Sequence, residues 1–124
     1  MRIISGKFKG KKLSLPEDKN TRPLKDLVKE SIFNLLEHSK KNNVNFQNSS
    51  VLDLFSGTGS FGLECISRGS KSVFFFENYS KALNVLKKNL LSMKGVKNYK
   101  IFENDCFVYF NSNNEINQTF DVIF

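Results

Sequence analysis

The sequence predicts an α/β domain built on a parallel sheet, and three observations carry that prediction. Short apolar runs alternate with segments of helical periodicity across residues 51–124. The first run, VLDLF from Val51 to Phe55, opens into three glycines spaced Gly57-x-Gly59-x-x-Gly62, the spacing of a ligand-binding turn between strand and helix. A polar linker, SKKNNVNFQNSS, sets these elements apart from a basic N-terminal unit.

Taken in order, RIISGKFKGKKLSL alternates loosely around two glycines and reads as a small β-hairpin. After the polar turn PEDKN comes TRP, and then Leu24, Leu27, Val28, Ile32, Leu35 and Leu36 follow helical spacing, with Pro23 suited to the first turn. Val51–Phe55 is a strand and Ser60–Arg68 a helix stopped by Gly69. Ser72–Phe76 is a second strand. Ser80–Met93 is a helix with Leu83, Leu86, Leu90 and Met93 on one face and Gly95 just past its end. Tyr99–Phe102 is a third strand, Cys106–Phe110 a single helical turn, and Phe120–Phe124 a fourth strand. Two units result: residues 1–40 and residues 48–124. Parallel strands joined by helices imply right-handed crossovers and a sheet covered on both faces. The last strand, FDVIF, has the near-continuous apolar character of a strand buried on both faces. With no covering helix after it, it reads as the front part of a longer protein whose later strands are missing.

Composition narrows the function classes. At 124 residues, with 40% hydrophobic and 25% charged content, the chain fits one globular domain. No apolar run approaches the ~18 residues of a membrane span, and the N-terminus lacks the apolar core of a signal peptide. Cys65 and Cys106 lie far apart with no metal-ligand spacing, which fits reduced thiols in a cytoplasmic protein and no bound metal. The net charge of +7 is uneven: residues 1–30 hold nine Lys/Arg against four Asp/Glu. Such crowding points to an anionic partner, nucleic acid first. Arg2, Lys7, Lys9, Lys11 and Lys12 around Phe8 are the candidate RNA-contact residues.

Ligands of open α/β sheets bind outside the carboxyl ends of the strands. There the sequence places Gly57 and Gly59, Asp53 at the end of the first strand, Glu77 after the second and Asp105 after the third. Glu77 suits ribose hydroxyls in a nicotinamide or an adenosine cofactor alike. Asp53 discriminates between them. Beside a pyrophosphate at ~6 Å, with an effective dielectric near 20, it costs roughly 3 kcal/mol per unit charge, and beside a cation the sign reverses. S-adenosylmethionine carries an ammonium and a sulfonium and no phosphate, so three successive carboxylates favour it over NAD. Asp105 lies where the adenine amine would be.

RIISGKFKGKKL, TRPLKDLVKESIFNLL, VLDLFSGTGSFGLECISRG and the ND of FENDC together resemble the bacterial small-subunit ribosomal RNA guanine-N2 methyltransferases of the RsmD type. The second segment resembles that family's helix signature TRPTxDRVKEALFNIL, with Leu24 where threonine is usual. The resemblance implies a partial class I methyltransferase fold, Rossmann-like, preceded by a small β-hairpin plus helix. It implies that Asp53, Phe55, Gly57 and Gly59 line S-adenosylmethionine. Glu77 would lie at its ribose, Asp105 near its adenine and Arg22 at its methionine carboxylate, with Asn78 and Cys106 also among the cofactor-binding residues. The N-terminal basic strands would touch ribosomal RNA or a small-subunit assembly particle. In that family the strand equivalent to FDVIF leads into an Asp-Pro-Pro-Tyr motif. Here the chain stops at Phe124, so no catalytic residue carries over.

The implied reaction moves a methyl group to the N2 amine of a guanine in a protein that is a monomer when complete. Other nucleobase amino-methyltransferases, a nicotinamide oxidoreductase, and a cofactor-binding fragment without activity stay open as alternatives.

Overall fold

A computed structural model describes residues 1–41 and 43–124. The elements run α1 (Asp26–His38), β1 (Ser50–Asp53), α2 (Ser60–Ser67), β2 (Ser72–Phe76), α3 (Ser80–Ser92), β3 (Tyr99–Phe102), α4 (Cys106–Asn111) and β4 (Val122–Ile123). The four strands form one sheet in the order β3-β2-β1-β4, and every pairing is parallel. The predicted α/β architecture is therefore present.

Alternation along the strands divides the core in two. Val51, Val73 and Phe75 face a large cluster that also holds Phe61 and Leu63 of α2 and Leu83, Leu86 and Leu90 of α3. Leu52, Phe76 and Phe102 face a smaller cluster with Cys106, and Phe74, Tyr109 and Phe120 pack against it. Gly62 permits close helix–strand packing, since a Cβ there would stand 2.2 Å from Phe75 Cε1.

The N-terminal hairpin takes the form of one antiparallel bridge, Arg2 with Lys12. The segment is docked rather than free-standing: Ile3 and Leu13 are buried in the large cluster with Phe33 of α1. Phe46, inside the polar linker, is buried there too. The main tether is Glu64 on α2, fully buried, whose carboxylate accepts the backbone N–H groups of Ile4 (2.8 Å) and Ser5 (2.9 Å). The same carboxylate meets Lys29 Nζ of α1 at 3.4 Å and Arg68 Nε at 3.0 Å. Arg68 continues to Glu37 at 2.9 Å, and Lys29 donates to the Arg2 carbonyl.

Several elements differ from expectation. α1 starts at Asp26, with Lys25 as its extended N-cap, so Pro23 lies before the helix and not in its first turn. The helix buries Lys29 and Phe33 and leaves Leu27 and Leu35 74% and 69% exposed. It docks on a buried ion pair, which hydrophobic periodicity does not register. β1 ends at Asp53, before Leu54 and Phe55, and β4 pairs only over Val122–Ile123. Within these 124 residues β4 pairs with β1 alone, and Val122 is buried while Ile123 is 63% exposed.

Removing one partner of a buried pair leaves an uncompensated charge. Glu64→Ala is expected to lower unfolding stability by about 3–5 kcal/mol in urea titration, while Glu30→Ala on the exposed side of α1 stays within about 0.5 kcal/mol. Equal midpoints for the two variants would show that the Glu64 network holds nothing together.

Candidate functional site

The carboxyl ends of the parallel strands open on a cleft of about 120 Å³. Three parts of the chain build it. The end of β1 and the following turn supply Asp53, Phe55, Ser56, Gly57 and Thr58; the start of α2 supplies Ser60 and Phe61. The segment Thr21–Leu24 closes one side, and Phe124 another. Four of the residues singled out from the sequence, Arg22, Asp53, Phe55 and Gly57, thus line a single space.

The turn needs its glycines for backbone reasons. Gly57 and Gly59 have φ of 54° and 87°, the left-handed region where a side chain is strained. A Cβ on Gly59 would also lie 2.4 Å from Leu86 Cδ1, whereas one on Gly57 would meet nothing within 4 Å. Gly59 is therefore fixed by packing against α3. Gly57 leaves open space beside the backbone.

Asp53 is the unusual group. It is 1% exposed, and neither carboxylate oxygen has a hydrogen-bond partner. Burial pushes its pKa up to about 7; the N–H groups of Gly62 and Phe55 and the Ser56 hydroxyl pull it partway back, and the Glu77 charge raises it again. The Ser60 hydroxyl is buried without a partner too. Buried polar groups in folded proteins are nearly always paired, so two orphans beside one cleft mark a place for a ligand.

The other carboxylates are already tied to the backbone. Glu77 accepts the N–H of Gly57 at 2.8 Å through one oxygen and those of Asn78 (2.9 Å) and Tyr79 (2.7 Å) through the other. It braces the glycine turn from β2 while itself half-buried. Asp105 caps α4, one oxygen accepting from Phe107 N and Val108 N. Asn78 is exposed, and Cys106 is buried in the smaller cluster, away from the cleft lining.

Sequence reasoning missed Ser60, Phe61, Phe107 and Phe124. The Phe61 and Phe124 rings stack at 3.9 Å and 8° across the cleft wall, and Phe107 stands 5.8 Å from Phe55, both of these exposed. The position of Ser60 right after the glycine turn was the one available signal; the ring pairs come from elements distant in the chain.

The N-terminal cations lie apart from the cleft. Arg2, Lys7, Lys9 and Lys12 are exposed and Lys11 half-exposed. Arg2 approaches Asp26 at 3.5 Å, and Lys7 sits 5.6 Å above the Phe8 ring, which itself packs against the core.

A parallel sheet, a glycine turn and an acidic strand end define a ligand-binding domain of the doubly wound type. The whole chain, residues 1–124, matches the family described as Conserved hypothetical protein 95, and it belongs to that family. Ribosomal RNA small subunit methyltransferase D of Haemophilus influenzae is 40% identical over 94 residues, covering 76% of this chain and 46% of that protein. The protein of the same name from Buchnera aphidicola subsp. Baizongia pistaciae is 31% identical over 124 residues, 100% of this chain and 59% of its own. Among solved structures, yhhF of Escherichia coli superposes with a TM-score of 0.72 at 28% identity, over 88% of this chain and 55% of that one. A hypothetical protein of Thermus thermophilus gives 0.71 at 25% identity, over 90% and 60%. The resemblance to small-subunit ribosomal RNA methyltransferases is borne out, and the chain spans about half the length of the curated relatives it matches.

A buried acid whose folded pKa is raised binds its proton more tightly when folded than unfolded. Its contribution is present below the unfolded value of 3.8 and is lost as pH rises through about 7, a change of order 4 kcal/mol. Unfolding titrations between those limits are expected to show Asp53→Asn gaining on wild type as pH rises. Parallel pH profiles for the two proteins would contradict the unpaired state of this carboxyl group.

Proposed function

We propose that the chain forms the methyl-donor-binding part of a ribosomal RNA methyltransferase that transfers a methyl group from S-adenosylmethionine to the N2 amine of a guanine. The observation that carries the donor assignment is the buried, unpaired Asp53 carboxylate at a glycine turn. A diphosphate would add negative charge to that site, whereas a cationic donor supplies the missing counter-charge. The family relation and the names of the relatives support methyl transfer to small-subunit ribosomal RNA.

The residues fit such a donor. Open space at Gly57 lets a ligand reach the backbone of the turn. Glu77 spends three of its roughly four acceptor positions on backbone N–H groups and keeps capacity toward a ribose hydroxyl. Asp105 keeps one oxygen for an adenine amine, and Asn78 and Cys106 flank those two acidic positions along the chain. Exposed Phe55 and Phe107 offer flat apolar surface for the base. Arg22 in the Thr21–Leu24 segment is the cation suited to a carboxylate at the other end.

The bound donor supplies an electrophilic methyl group on a sulfonium, and transfer needs only an amine aligned behind it. The chain's part is to hold the donor, keep water from the Asp53 side of the cleft, and fix the turn through Glu77 and Gly59. The target base has to leave its stack to meet the cleft. Arg2, Lys7, Lys9, Lys11 and Lys12 suit RNA phosphates, with Phe8 beside them. The partner is the ribosomal RNA, free or within a small-subunit assembly particle.

Calorimetry with S-adenosylmethionine is expected to show Asp53→Ala and Glu77→Ala each weakening binding about tenfold or more. Unchanged affinity in both variants removes the donor assignment. Changing Lys7, Lys9, Lys11 and Lys12 to Gln is expected to reduce RNA affinity and flatten its dependence on salt, by about 0.7 in logarithmic slope for each lost phosphate contact. A slope identical to wild type would make these lysines a solvated face.

A further inference from the structure

A second basic surface lies outside the N-terminal segment. Between Glu77 and Glu103 the chain carries Lys81, Lys87, Lys88, Lys94, Lys97 and Lys100 and no acidic residue. α3 sorts its residues cleanly: Ala82, Leu83, Leu86, Asn89 and Leu90 are buried, and Lys81, Asn84, Lys88 and Leu91 are exposed. Lys94 and Lys97 are exposed in the stretch that follows. Three of the six are partly neutralised or engaged: Lys81 stands 3.9 Å from Asp18, Lys87 pairs with Glu103, and Lys100 lies over the Phe102 ring. Among the described residues Lys88, Lys94 and Lys97 have no ion pair.

The fold joins this surface to the first one. The Asn89 side chain of α3 accepts from Ser14 N at 2.8 Å and donates to the Ser14 carbonyl at 3.2 Å and the Thr58 carbonyl at 3.1 Å. Ser14 lies two residues beyond Lys12, and Asn89 is next to Lys88. This clamp ties the end of the N-terminal basic segment to the buried face of α3, and the exposed face begins one residue away at Lys88. Beside it Ser14, Leu15, Lys81, Asn84, Val85 and Lys88 line an open groove of about 490 Å³. Glu17 and Asp18 line the same groove, and Asp18 is turned toward Tyr79 and Lys81, from which it takes its hydrogen bond and ion pair.

We infer that Lys88, Lys94 and Lys97 extend the N-terminal basic segment into one track for RNA phosphates, running from Ser14 past the groove to Lys88 on the outer face of α3 and on to the stretch that follows the helix. Charge without anchors argues for a polyanion. Protein interfaces are built around central apolar or aromatic groups, and among the described residues the large apolar side chains exposed here are Leu91 on α3 and Leu15 at the groove. A nucleic acid backbone needs only cations at intervals along a surface. The inference rests on the reading that the chain meets RNA, and not on the identity of the methyl donor.

The test compares the full chain with a Lys88→Gln, Lys94→Gln, Lys97→Gln variant, using a fluorescein-labelled RNA hairpin from about 50 to 200 mM salt. Loss of three phosphate contacts is expected to lower the logarithmic salt slope by about 2 and to weaken binding several-fold at the low-salt end. The matching Lys→Arg variant is expected to keep the wild-type slope, since the charge is retained. If the Gln variant keeps the wild-type slope and affinity while the N-terminal Gln variant loses both, the α3 track is overturned and the N-terminal assignment stands. If neither Gln variant changes the slope, both fall. Loss of binding in the Arg variant as well would contradict a track made by charge.

Discussion

An acid group buried at the end of the central strand with nothing to bond to is the constraint around which this site is arranged. Asp53 sits where β1 stops, 1% exposed and unpaired, next to a turn that Gly57 and Gly59 hold in left-handed backbone conformations. A group in that position costs stability unless something supplies its counter-charge or its hydrogen bonds. The surrounding structure supplies no counter-charge: nearby backbone N–H groups offset part of the burial, and the Glu77 charge adds repulsion. The Glu77 carboxylate is turned instead to the backbone N–H groups of Gly57, Asn78 and Tyr79, fixing the turn that walls the cleft.

The cover over that cleft is held from a distance. Glu64, one helical turn beyond Ser60 on α2, takes the backbone of Ile4 and Ser5 and the ammonium of Lys29 in one buried cluster. Burial pulls the Lys29 ammonium toward neutrality and Glu64 opposes that pull. Because α1 is anchored at Lys29, the segment just before it, Thr21–Leu24, comes to lie against the glycine turn and brings Arg22 to the cleft. Sheet, turn and cover therefore meet through a few polar contacts rather than through apolar packing alone.

The parts of the fold legible in the sequence were those governed by local patterns. β2 and β3 fall on their predicted residues, since Val and Phe runs bounded by polar turns leave little choice. α3 shows its buried leucines at the expected spacing, and the three strand-end carboxylates lie at the carboxyl edge of the sheet as the alternating pattern requires. What escaped was decided by contacts between distant segments. The face of α1 was misjudged because it docks through Lys29, a residue that periodicity assigns to solvent. Phe46 looked like part of a polar linker until Phe33 stood 5.0 Å from it. Asp105 was legible as a carboxylate after the third strand, but not its cap on α4, which occupies one of its oxygens. The stacked Phe61 and Phe124 rings come together only when β4 pairs with β1.

The selectivity attributed to Asp53 is tested most directly by titrating the chain, above the pH near 7 at which that group ionises, with S-adenosylmethionine and with NADH in parallel calorimeter runs. A saturable heat with the sulfonium compound and none with the dinucleotide is the expected result. Saturable binding of NADH with no response to S-adenosylmethionine would contradict it.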